Sequence, residues 1–212
     1  LEKILDTDLL YAPYIDEKYK EFSSSLSLTD KEERKGIRIP VLRSLAKTVS
    51  SEDITIKYHE DVILKGLSLG RENIPIEEKL EKLTVLLPYL TSWDQTDIIQ
   101  SGFKPKKNDK EILYSYFRSL LNSKDVYTKR LGIIWLMSNR KYYDKEQTLL
   151  AIINADDEKE YYISMAVAWA FSFFVIDDPT FISWQDKLQN TTRKRALQKL
   201  RDSKRFSFSL QQ

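Results

Sequence analysis

Trp93, Asp97, Arg130 and Trp169 are side chains whose types together suit a sugar-phosphate. Trp93 and Asp97 lie four residues apart, so a helix places them on one face. A guanidinium grips phosphate through its planar fork, which an ammonium does not match. Indole faces attract positive charge, at about 0.5–2 kcal/mol per contact. Two indoles beside a carboxylate and an arginine therefore fit a ligand that carries a sugar, a phosphate and a flat, electron-poor ring, a description that points to nucleic acid. Each residue also has a plainer reading. Trp169 on an apolar segment reads as core, Asp97 as an exposed helix charge or salt-bridge partner, and Arg130 as a surface or intra-helix partner. It is the joint pattern that draws the four to one cleft. Trp135 and Trp184 read as core, and His59 as a capping or surface residue.

The 212 residues make one domain or one short repeat array, long enough to bury a large core. Without cysteine there are no disulfides and no thiolate zinc sites, and a single histidine leaves no His-rich metal site. The acidic pairs Asp156-Asp157 and Asp177-Asp178 read as helix starts, where aspartate caps and complements the dipole. No metal and no cofactor is expected. Net charge is only +2, yet it is unevenly spread. Lys104, Lys106 and Lys107 form one basic cluster, and Arg193, Lys194 and Arg195 open another that runs through Lys199, Arg201, Lys204 and Arg205. Such a distribution favours a polyanion on the C-terminal half, against the alternative of two solvated basic surfaces. The first residues lack an apolar leader, and the longest apolar stretch, Met165 to Ile176, is too short to cross a membrane, so a cytoplasmic protein is expected.

Five glycines, six prolines and pervasive helical spacing define the elements that must position these residues. Val62 to Leu69 precede Gly70, read as a helix stop, and Ile76 to Leu87 follow Pro75, a helix-start residue. Further apolar stripes run through Ile112–Leu121, Leu131–Met137, Leu149–Ile153, Phe181–Leu188 and Ala196–Leu200, and Tyr161–Ile176 is apolar enough to be a buried central helix. No strand alternation appears. Tyr127 to Trp135 aligns with Tyr161 to Trp169 at an offset of about 34 residues, within the range of helical repeats. The expected architecture is all-α, a solenoid of stacked antiparallel helix pairs whose inner helices line an extended surface.

The sequence resembles the AlkD family of HEAT-like-repeat DNA glycosylases. The resemblance rests on Gly36-Ile37-Arg38-Ile39-Pro40, on Ser92-Trp93-Asp94 with Asp97, on Arg130, on Met165 to Trp169, and on Thr192 to Arg201. It runs from about Gly36 to Arg205, so 36–205 would be the repeat core of a single domain spanning 1–212, with 1–35 a divergent N-terminal segment. The resemblance implies a basic concavity that cups duplex DNA, and excision of cationic purines alkylated at N3 or N7 without drawing the base into a pocket. It implies Asp97 as the catalytic carboxylate, Trp93 and Trp169 flanking the deoxyribose, and Arg130 on a backbone phosphate. Lys104, Lys106, Lys107, Arg193, Lys194 and Arg195 are candidate backbone contacts. An alkylated purine already carries positive charge and leaves readily. A carboxylate facing the oxocarbenium-like sugar stabilises it and directs water.

Two stretches depart from the family pattern. Phe22 to Lys35 is serine-rich and reads as a loop or a thin, poorly anchored helix, where family members carry an ordered helical layer. Ala170-Phe171-Ser172-Phe173 stands where a basic residue follows the family tryptophan. Two other functions therefore stand beside repair by a monomeric glycosylase. One is a non-catalytic or weakly active relative that binds DNA or another nucleic-acid structure. The other is a protein-interaction solenoid.

Overall fold

The computed structural model describes residues 4–26 and 33–203, and every regular element among them is helical. The chain divides into two compact units, Leu1–Lys104 and Pro105–Gln212.

In the first unit α1 (Thr7–Tyr11), α2 (Glu17–Ser25), α3 (Ile39–Leu45), α4 (His59–Arg71), α5 (Ile76–Leu86) and α6 (Trp93–Ile99) follow one another, with short 3-10 turns at Ala12–Tyr14, Leu87–Tyr89 and Gln100–Gly102. The starts are chemically marked. Asp6 accepts hydrogen bonds from the amides of Asp8 and Leu9, and Asp16 from that of Tyr19. Pro75 stands immediately before α5. Helix α4 packs on α3, α5 and α6 around a core that includes Tyr11, Ile37, Leu42, Ile63 and Leu64. Helices α4 and α6 run parallel. His59 at the start of α4 meets Asp94 and Gln95 at the start of α6, Gly66 lies against Ile99, and Gly70 lies against Gly102.

Helix α4 ends one residue past Gly70, at Arg71. Gly70 also has a packing role: a Cβ there would lie 2.7 Å from the Gly102 Cα, so the two backbones touch. Alanine would gain helix propensity, about 1 kcal/mol. It also has to push a backbone aside, and overpacking of this kind costs roughly 1–3 kcal/mol. Gly70→Ala is thus expected to lower stability in urea denaturation despite the better helix former; a variant as stable as wild type would show that the two helices separate freely.

The N-terminal segment is better anchored than its serine content suggests. Phe22 to Ser25 close α2 as its last turns, whereas 27–32 lie outside the described residues. The Tyr11 hydroxyl donates to Asp61 at 2.8 Å, Tyr58 to Asp8 at 2.9 Å, and Arg38 holds Asp16 through two nitrogens. Burial first, and then the Asp61 charge, push the Tyr11 hydroxyl well above the usual tyrosine range. The buried Glu60 carboxylate accepts the amides of Lys35, Gly36 and Ile37 at 2.8–3.3 Å. Gly36 turns there with φ +80°, and a Cβ would meet the Asp16 carbonyl at 2.6 Å. The sequence pattern misses this layer because its anchors are polar and distant in the chain, not an apolar stripe.

The second unit holds α7 (Lys110–Ser119), α8 (Val126–Asn139), α9 (Lys145–Asn154), α10 (Tyr161–Asp177) and α11 (Asn190–Asp202). Asp125 and Asp144 cap α8 and α9 through the amides of Thr128 and Gln147. Helices α7 and α8 are antiparallel: Phe117, late in α7, stacks flat on Trp135 at 4.3 Å, while Lys110 at its start accepts from Tyr143 beyond the end of α8. Trp135 is fully buried, as expected of it. Helices α8, α10 and α11 run parallel. Tyr127 and Arg130 near the start of α8 meet Tyr162 near the start of α10, and Arg140 after α8 grips Asp177 at the end of α10. Ser164 and Thr192 then join the starts of α10 and α11 at 2.7 Å. Helix α10 is the buried central helix its composition implies.

A 3-10 segment, Pro179–Lys187, replaces a full helix between α10 and α11. Trp184 is only half-buried there, its ring edge-on to Phe181 and beneath the Lys187 ammonium, so it is not a core residue. The acidic pairs divide their work. Asp178 caps the 3-10 segment and Asp177 closes α10, while Asp156 reaches across to the Gln189 amide and the Thr192 hydroxyl at the start of α11. No described helix is long and apolar enough to cross a membrane.

Candidate nucleic-acid interface

Helix α6 begins with a capping arrangement in which the Gln95 side-chain oxygen accepts the amides of Thr91 and Ser92. This places Trp93 at the first helical position and Asp97 one turn later. The two line a cavity of about 170 Å³ together with Tyr19, Arg34, Asp94 and Ile98. The first unit therefore brings the carboxylate and the first indole together, as their spacing requires. The Thr96 hydroxyl lies 3.0 Å from Asp97 Oδ1. Tyr19 adds an aromatic wall from α2, and Arg38 lies over its ring at 5.0 Å. Burial, and then the Asp94 charge, raise the Tyr19 hydroxyl above its ordinary value.

Asp94, only a motif member in the sequence, is the centre of a part-buried polar network. Its carboxylate accepts from Arg34 Nη1 at 3.1 Å, from His59 Nε2 at 3.0 Å and from the Ser92 hydroxyl. Because Gln95 Oε1 is committed to two backbone amides, its nitrogen must face the other way, and it donates to His59 Nδ1 at 3.2 Å. Both ring nitrogens of the imidazole are thus engaged, Nδ1 with Gln95 and Nε2 with Asp94. His59 is 1% exposed, so it is neither a surface residue nor a simple cap. Burial raises the Asp94 carboxyl, but the hydrogen bond from His59, the Arg34 charge and the Ser92 hydroxyl outweigh it and hold the group well below the usual carboxylate range. The signal was present in the sequence as Ser92-Trp93-Asp94, but its partners Arg34 and His59 lie 60 and 35 residues away.

In the second unit Trp169 is half-buried and lines an open cleft of about 490 Å³ with Phe173, Ile176, Lys199 and Asp202. Arg130 is 6% exposed, and its Nη1 donates to the Tyr162 carbonyl at 2.9 Å. Among the remaining candidates, Lys104, Lys106, Lys107 and Lys194 are exposed. Arg193 pairs with Asp186 at 2.8 Å, and Arg195 lies over the Tyr161 ring at 5.0 Å. Lys204 and Arg205 fall outside the described residues. Among the described residues no three His, Asp or Glu side chains gather as metal ligands would.

Packed helix pairs with successive parallel helices, presenting an indole and a carboxylate at one pocket and an indole with a lysine at another, define an all-α protein consistent with an α-solenoid. The chain belongs to the DNA alkylation repair enzyme family, whose model matches residues 12–200. The match begins inside α1's following turn and so takes in α2, within the segment that the sequence reading set apart. No curated protein and no solved structure matches the chain. Family membership makes DNA alkylation repair its role and DNA its partner.

Proposed function

We propose that the protein is a DNA glycosylase that hydrolyses the N-glycosidic bond of cationic N3- or N7-alkylated purines in duplex DNA, acting as a monomer. The observation that carries this reading is the shared pocket of Trp93 and Asp97 in a chain of this family. As the bond breaks, positive charge grows on C1′ of the sugar. The Asp97 carboxylate stabilises that charge and orients the attacking water, which bonds to C1′ and gives up a proton to that carboxylate, while the electron pair of the broken C1′–N bond leaves with the now neutral purine. The Trp93 and Trp169 rings pack on the sugar-phosphate and favour positive charge through their faces. Arg130 supplies fixed positive charge beside the α10 start, and the exposed Lys104, Lys106, Lys107 and Lys194 meet backbone phosphates in this reading.

Repair is favoured over DNA binding alone because the N-terminal layer is anchored: α1 is tied to α4, and the start of α2 to that of α3. The test is release of free 7-methylguanine from methylated duplex DNA under single-turnover conditions. The proposal expects release well above the spontaneous rate. DNA binding with a steep salt dependence but release at the spontaneous rate would leave a binding protein instead.

A further inference from the structure

The cleft between α10 and α11 contains one cation of the C-terminal basic cluster, Lys199. Lys199 lines, from α11, the space walled by Trp169, Phe173 and Ile176, with Asp202 and Ser203 beside it. No hydrogen bond or ion pair joins its ammonium to any described residue. The neighbouring cations are all engaged. Arg130 donates to the Tyr162 carbonyl, Arg140 holds Asp177 through two nitrogens while lying over Phe173 at 4.9 Å, and Arg193 holds Asp186. Burial, and then the positive charge of Arg130, lower the Lys199 ammonium below the ordinary lysine range, although the nearby Asp202 opposes the shift. Lys199 thus stands half-buried between aromatic walls within reach of a second positive charge, and a bound anion relieves both the repulsion and the desolvation.

From this arrangement we infer that the α10–α11 cleft is a phosphodiester subsite in which Lys199 makes the direct contact to the DNA backbone, with Trp169 against the adjoining sugar and Arg130 acting from behind as a positioning charge. The inference rests on the DNA-repair reading above and assigns part of its contact surface. The space of about 490 Å³ is of the size that one nucleotide unit needs, and its wall is apolar where a deoxyribose packs and charged where a phosphate lies. It also explains how the chain manages without a basic side chain in Ala170-Phe171-Ser172-Phe173 directly after Trp169: the charge arrives from the neighbouring helix.

The test measures binding of an undamaged duplex by fluorescence anisotropy between 50 and 200 mM salt, a range over which one phosphate contact is resolved. Lys199→Gln is expected to reduce the slope of log affinity against log salt by about 0.9 and to bind roughly eight-fold more weakly at 0.1 M salt, the worth of one released counterion. Lys199→Arg, which keeps the charge, restores the slope. Lys187→Gln removes an equal charge that lies over Trp184 and leaves the slope unchanged. An unchanged slope in Lys199→Gln, or equal losses in the Lys199 and Lys187 variants, overturns the inference while leaving the repair reading in place. A wild-type protein that binds no duplex at any salt overturns both.

Discussion

Asp97→Asn is expected to lower the single-turnover rate of 7-methylguanine release by about 10²–10³-fold, equivalent to roughly 2.7–4 kcal/mol of transition-state stabilisation. The substitution is nearly isosteric and keeps an oxygen for the Thr96 hydroxyl, which lies 3.0 Å away, so the helix and the pocket wall persist. What it removes is the formal negative charge facing the sugar as C1′ becomes cationic. The same charge repels the phosphates of the ground state, so DNA affinity is expected to hold or to tighten slightly. That divergence, rate falling while affinity does not, separates a catalytic group from one that only holds the DNA. If rate and affinity fall together, or if the variant matches wild type, Asp97 is not the catalytic carboxylate.

Asp94→Ala is expected to cost about 3 kcal/mol of folding stability, because it withdraws the acceptor from Arg34 and His59, both nearly inaccessible to water. Loss of one partner of a buried pair leaves the other charge or donor unsatisfied, which is more costly than never having built the pair. For a chain of this length the thermal midpoint should fall by roughly 6–12 °C, readable by circular dichroism. A fall worth less than 1 kcal/mol would show that water replaces the carboxylate without penalty. The pH dependence follows from the lowered Asp94 value. A carboxylate more acidic in the folded state contributes its stability in full above the unfolded value near 3.9, and loses it as pH falls through the lower folded value. The stability gap between wild type and Asp94→Asn is therefore expected to persist at pH 4 and to close only in stronger acid.

The parts legible in the sequence are those set by local periodicity. Helix α10 follows from an apolar run, Trp135 from its place in an apolar stripe, and the pairing of Trp93 with Asp97 from a spacing of four. What escaped was non-local. His59 reads as polar and therefore superficial until Asp94 and Gln95 arrive from 35 and 36 residues away to satisfy both ring nitrogens. Gly70 marks the end of α4, but nothing local reveals Gly102 against it. Glu60 looks like an ordinary first-turn acid, although three amides of the preceding loop converge on it. Trp184 shares its apolar neighbours with a true helix, yet Pro179 opens a 3-10 segment too narrow to enclose it. Polar residues satisfied at long range leave no periodic trace.

The meeting of Gly70 with Gly102 has a bearing on how the first unit tolerates change. Where two helices touch through main-chain atoms, their separation is a property of the polypeptide itself and not of any side chain that drift could trim or enlarge. Substitutions on α5 or on the exposed faces can accumulate without altering that gauge. The ledge that carries Trp93 and Asp97 keeps its height above α4 for as long as those two positions stay bare, so divergence elsewhere can retune what the pocket accepts while the platform beneath it stays fixed.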